Sequence, residues 1–202
     1  MTTTTDRPII FGAESIRAIL DGRKTQTRRV VKPQPEPFLD TKTKMVWSYH
    51  HRAVYGTYAE MAEFMRLHSP YTVGQRLWVR EKFALHPTAT ELGQPVVFYA
   101  ARGDSLLPEN HWRSPIYMPR WASRITLEVT GVRAERLQDI THNDICMEGW
   151  DPIWSRPFGN GTAGDDARAW YAALWNRINP QYPWDSNPWV WIMEFAVAGG
   201  DR

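Results

Sequence analysis

An α+β fold, or a small mixed β-barrel decorated by helices, is what the 202-residue sequence predicts. Short stretches in which apolar and polar residues alternate recur along the chain, as half-buried strands require. Helical periodicity is confined to one segment near each end and one in the middle. No internal repeat and no sustained heptad run is present, which excludes a solenoid and a coiled coil.

The elements follow in order. Pro8 to Phe11 reads as a short opening strand. Glu14 to Asp21 reads as a helix with Ile16, Ile19 and Leu20 on one face, and Gly22 supplies its stop. Lys24 to Val31 carries β-branched residues suited to a strand. Residues 33–70 read as an irregular insertion because Pro33, Pro35 and Pro37 break regular elements, with a helix from Tyr58 to Leu67. Val73 to Arg80 is a turn and a strand in which Leu77 and Val79 alternate with Arg76, Trp78 and Arg80. Val96 to Ala100 is a further strand inside a second insertion, residues 84–112, and residues 103–115 read as a polar loop. Ile125 to Gly131 is the clearest strand, with Ile125, Leu127 and Val129 on one side. Leu137 to Thr141 leads into a helix that runs to about Glu148 and ends at Gly149; Thr141 is its N-cap, and Asp144 three residues on makes a weak variant of a capping box. A third insertion, residues 150–165, reads as a mobile loop. Asp166 to Ile178 is a helix whose stripe is Trp170, Leu174 and Ile178, and Trp189 to Phe195 is the closing strand.

Length and composition fit one domain over residues 1–202, large enough to bury a core without disulfides or metals. Cys146 is the single cysteine, so no intrachain disulfide forms, and no apolar run reaches the length of a membrane span. The amino terminus lacks a basic-then-apolar leader. A soluble, cytoplasmic protein is expected. The net charge of +2 decides little, but Arg23, Lys24, Arg28, Arg29 and Lys32 form a run without an acid, which is either a solvated face or a phosphate-binding one. Eleven tryptophans serve either as core plugs or as base-stacking platforms.

Several chemistries lack their residues. The six histidines form no H-E-x-x-H and no Cys/His set, so no metal site is expected. Gly159, Gly161 and Gly164 lack the lysine and the strand–helix setting of a phosphate loop, and no G-x-S-x-G supports a serine triad. Cys146 is expected to be a buried, inert thiol. No cofactor is implied.

Four motifs in order carry a resemblance. Gly22-Arg-Lys24-Thr-Gln-Thr27-Arg-Arg29 directly follows an amphipathic helix and resembles the G-x-K-x-x-T-x-R signature of the ASCH family. Gly74 to Val79 resembles that family's G-D-x-L-x-V strand start, Thr126 to Thr130 with Leu137 to Thr141 its central strand and following helix, and Trp191 to Phe195 its terminal strand. Ala18 to Arg29, Leu77 to Glu81, Met118 to Ile125 and Asn187 to Trp191 further resemble phage- and prophage-encoded ASCH-like proteins. The resemblance implies a PUA-like small mixed barrel with flanking helices and long loop insertions, and RNA or a modified nucleoside as partner.

A distant member, the bacterial N4-acetylcytidine amidohydrolase, implies catalytic roles for Lys24, Thr27 and Glu148. Arg29 falls on the arginine that closes the signature. In such a site, burial or the neighbouring Arg23, Arg28 and Arg29 would lower the Lys24 pKa, Thr27 would supply a hydroxyl, and Glu148 would protonate the leaving nitrogen. The other reading of the same residues is structural: a lysine complementing a helix end, a strand threonine and a solvated glutamate. Binding of a nucleic-acid strand would instead draw on Arg23, Arg28, Arg29, Trp78, Arg80, Glu81, Arg120, Trp121 and Arg124, with Trp78 facing the pocket. Arg80 and Glu81 form either an ion pair or a base-reading pair. Ribonuclease activity and non-catalytic RNA binding remain alternatives to hydrolysis.

Overall fold

The computed structural model describes residues 6–40, 44–49, 52–91, 93–103, 111–151 and 163–198. Ten strands and four α-helices are found among them. They are β1 (Arg7–Ile10), α1 (Ala13–Leu20), β2 (Gln26–Val30), β3 (Glu36–Asp40), β4 (Lys44–Tyr49), β5 (Arg52–Tyr55), α2 (Tyr58–Leu67), β6 (Arg76–Arg80), β7 (Phe83–Glu91), β8 (Gln94–Tyr99), β9 (Thr126–Arg136), α3 (His142–Met147), α4 (Ala163–Ile178) and β10 (Trp189–Val197).

The central sheet has the order β1-β6-β9-β10-β2. β1 runs parallel to β6, and the remaining pairs are antiparallel. β10 sits between β9 and β2 and is covered on both faces, which is why its sequence is a nearly continuous apolar run. Met193 and Phe195 pack with Ile16 and Ile19 of α1. Val190 and Ile192 pack with Leu137, Ile145, Tyr171 and Trp175. Trp189 and Trp191 meet Trp47, Met61 and Met65.

The fold is α+β as expected, but the sheet is open. Among the described residues no backbone ladder joins the edge strands β1 and β2. A side chain spans that gap: Arg29 Nη2 donates to the Ile10 carbonyl at 2.9 Å.

Four local expectations need correction. Residues 33–70 are largely regular, with β3, β4 and β5 forming a separate sheet beside α2. Pro37 is tolerated because β3 is an edge strand, where a missing N–H breaks no ladder. The second insertion likewise contains a hairpin, β7 with β8. In α4 the buried stripe is Ala167, Tyr171 and Trp175, one position on from the expected one, and Ile178 is exposed. Leu20 of α1 is also exposed, its place in the core taken by Ala18. Residues 152–162, most of the third insertion, lie outside the described residues.

Candidate functional site

Two turns bring the signature to the end of α3. α1 stops at Gly22, whose φ of 71° suits a residue without Cβ. The chain then folds back so that Lys24 forms an isolated antiparallel bridge with Glu148, and Thr25 N–H donates to the Met147 carbonyl at 2.9 Å. α3 starts with the expected capping box of Thr141 and Asp144 and ends at Glu148. Gly149 follows at φ 99°, and a Cβ there would stand 2.9 Å from Ala18 Cβ and 3.3 Å from Lys24 Cβ. A glycine is therefore required for Lys24 and Glu148 to meet.

The meeting is close and dry. Lys24 Nζ donates to Glu148 Oε2 at 2.5 Å and to the Glu148 carbonyl at 2.9 Å. The second carboxylate oxygen, Oε1, accepts from Arg28 Nη1 and from the Tyr171 hydroxyl, each at 3.2 Å. Arg28 is itself held by Gln26 Oε1 at 2.5 Å and Glu135 Oε1 at 2.8 Å, and Asp144 Oδ2 lies 3.4 Å from its Nη2. Arg133 extends the network, reaching Asp144 at 2.7 Å and Glu194 at 2.6 Å. Lys24, Arg28, Asp144 and Glu148 are all buried, so each charge needs these partners to offset the loss of water.

Burial pushes the Lys24 ammonium below its ordinary range; Glu148 acts against this, and Arg29 and Arg28 add to it. Two of the three arginines expected to do so therefore act on Lys24. Arg23 does not, because it turns outward to Asp21 at 2.9 Å and the Gly149 carbonyl at 3.1 Å. Burial, followed by the Glu148 charge, pushes the Tyr171 phenol well above its ordinary range, so it stays protonated and donates. At Asp144, burial alone would raise the pKa, but the hydroxyl and backbone N–H of Thr141 and the charge of Arg28 outweigh it and pull the carboxyl down to about 2.

This cluster forms one wall of a cleft of about 790 Å³ between the two sheet edges, closed off by the start of α1 and the C-terminal half of α4. Lys24, Thr27, Arg28, Arg29, Glu148 and Tyr171 all line it. Thr27 shares the cleft without touching the other two candidates; among the described contacts none joins its hydroxyl to Lys24 or Glu148. Arg29 lies over the Phe11 ring at 5.1 Å and has no carboxylate within ion-pair distance among the described residues. The arrangement offers a buried proton-transfer pair, a hydroxyl and a cation facing one space.

The remaining candidates lie elsewhere. Trp78 is buried and is not part of the cleft lining; Arg80 stacks over its ring at 4.5 Å and Arg120 stands 5.9 Å from it. Glu81 does not pair with Arg80. It is buried and receives both Nε and Nη2 of Arg124, at 2.9 and 3.0 Å, while Arg124 stacks on Tyr99. Glu81 is therefore an internal anchor with no free edge for a base. Trp121 and Tyr117 are exposed beside this cluster.

Tyr171, Asp144 as an ion-pair partner, Glu135 and Arg133 were missing from the sequence-based set. Arg133 and Glu135 alternate on one strand, a detectable sign of paired charges. For Tyr171 the only signal was the alternative helical stripe Ala167, Tyr171 and Trp175. Among the described residues no group of three or more metal-ligating side chains occurs, and no helix is long and apolar enough to cross a membrane. The chain matches no protein-family model, no curated protein and no solved structure.

Proposed function

We propose that this chain is an ASCH-type, PUA-like protein of phage or prophage origin that takes a modified nucleoside or RNA into the cleft and hydrolyses the amide of an N4-acylated cytidine. The observation that carries the reading is the direct contact of Lys24 with Glu148 in a cleft that Thr27 also lines. The resemblance of the motifs around these three residues to the ASCH signature supports the same reading.

The chemistry balances on one proton. Shifting it from Lys24 Nζ to Glu148 Oε2 yields a neutral amine and a carboxylic acid, the pairing that burial favours over two charges. The amine takes the Thr27 proton through one intervening water as Oγ1 adds to the acyl carbon. The carboxylic acid gives its proton to the cytosine nitrogen as the C–N bond breaks. Lys24 and Glu148 are then again ammonium and carboxylate, and water cleaves the threonine ester to release the acid. Arg29, which has no carboxylate within ion-pair distance among the described residues, faces the developing oxyanion or an anionic part of the ligand.

A second reading is RNA binding without catalysis. The observation favouring it is the cluster of Arg80 and Arg120 on Trp78 beside the exposed Trp121 and Tyr117, outside the cleft.

One incubation separates them. The protein and its Lys24→Ala variant are given N4-acetylcytidine and short RNAs. Acetate release by the wild type, reduced at least a hundredfold in the variant, is expected. No turnover of the nucleoside, with RNA retained or cut by both proteins, overturns the hydrolase reading.

A further inference from the structure

We infer that Tyr171 is a positioning residue for Glu148: with Arg28 it anchors Oε1, leaving Oε2 as the oxygen that exchanges a proton with Lys24. This rests on the hydrolase reading for its catalytic meaning, but the positioning itself can be tested without turnover.

Both anchors are rigid. Tyr171 belongs to the buried stripe of α4, its ring tilted against Trp175 with centroids 6.4 Å apart and edge-on to Trp184 at 6.2 Å. Its residue exposure is 3%. Arg28 is pinned through Gln26 and Glu135. A glutamate's terminal torsion is otherwise broad, so an unanchored carboxylate would swing and offer Lys24 either oxygen. Two fixed donors on Oε1 remove that freedom.

The groups acting on Glu148 come from several elements. Lys24 precedes β2, Arg28 and Arg29 lie on β2, and Tyr171 lies on α4. Asp144, on the same helix as Glu148, acts through the shared Arg28. Glu14 and Arg17 of α1 and Arg177 of α4 line the same cleft without a described contact to Glu148. Of these, the Tyr171 hydroxyl is the one donor that a single conservative change removes while keeping every charge.

The test is Tyr171→Phe, which keeps the ring and deletes the hydroxyl, beside Trp184→Phe, which perturbs the same packing outside the cleft. Glutamate labelled with 13C at the carboxyl carbon is followed by NMR against pH, with the Glu148 signal identified by its loss in Glu148→Gln. Loss of a donor to the carboxylate favours its protonated form, so the Glu148 midpoint must move up in Tyr171→Phe and stay in place in Trp184→Phe. In turnover assays kcat is expected to fall about tenfold with KM little changed, as for loss of one hydrogen bond to a charged group. Should Tyr171→Phe unfold, site-specific 3-fluorotyrosine at 171, a stronger donor of nearly the same size, must move the midpoint down. An unmoved Glu148 midpoint, or an equal shift in Trp184→Phe, overturns the assignment. A moved midpoint in a protein that hydrolyses nothing upholds the positioning and removes the hydrolase reading alone.

Discussion

Arginines, aromatics and a glutamate build two regions of this molecule in opposite ways. Around Glu148 the charges are buried and each is held by two or more partners. Around Trp78 the aromatic is buried; the half-buried Arg80 lies over it and donates to the Ile116 carbonyl, and the exposed Arg120 pairs with Asp6. In the first region geometry is dictated by desolvation, since any displaced group loses a partner it cannot replace with water. In the second, water can replace the contact of the exposed Arg120 with Asp6 at small cost.

The largest expected effect breaks the buried region. Glu148→Ala strands Lys24 and weakens the hold on Arg28, and is expected to destabilise the fold by about 3–5 kcal/mol in urea unfolding. Pairing Lys24→Met with Glu148→Leu should recover part of that loss, because it removes the stranded ammonium while the Arg28 and Tyr171 donors to Oε1 stay unpaired. A loss below about 1 kcal/mol for Glu148→Ala would mean that the cluster behaves like an exposed ion pair.

A smaller effect sharpens the contrast by pH. Asp144 has a folded pKa lowered to about 2, so its contribution is present above the unfolded aspartate value and is lost as pH falls through the folded one. The contribution amounts to roughly 2 kcal/mol. Asp144→Asn should therefore flatten the decline of stability between about pH 4 and pH 2, measured by denaturant midpoints across that range.

The smallest effect on stability lies in the second region. Arg120→Ala should change unfolding by less than about 1 kcal/mol, the range of an exposed ion pair and cation–π contact. If that face meets a nucleic-acid strand, the same change should lower the slope of log affinity against log salt by about one. An unchanged slope would reduce the face to a surface stack.

Much of this was legible in the sequence because the signals were local. α2 has the expected bounds, Tyr58 to Leu67, and the Thr141 and Asp144 capping box is present on both sides. Lys24, Thr27 and Glu148 share one cleft. What was not legible depended on partners far along the chain. Pro37 was read as a breaker because nothing local says that its strand lies at an edge. Two adjacent stripes on α4 are both apolar, and only the position of β10 decides that Tyr171 and Trp175 turn inward. Glu81 looked available for recognition because its partner, Arg124, lies 43 residues on. The open sheet was hidden for the same reason, as strand patterns reveal faces but not which edges meet.

That opening separates two properties that a closed barrel would tie together. Among the described residues β1 has a backbone partner on one side only, β6, and its other side meets β2 through the Arg29 side chain. The span between them is set by the Arg29 side chain and the exposed Ile10, not by the backbone ladders that join β6, β9, β10 and β2. The width of the cleft and the integrity of the sheet thus rest on different interactions, a side-chain bond for one and backbone ladders for the other.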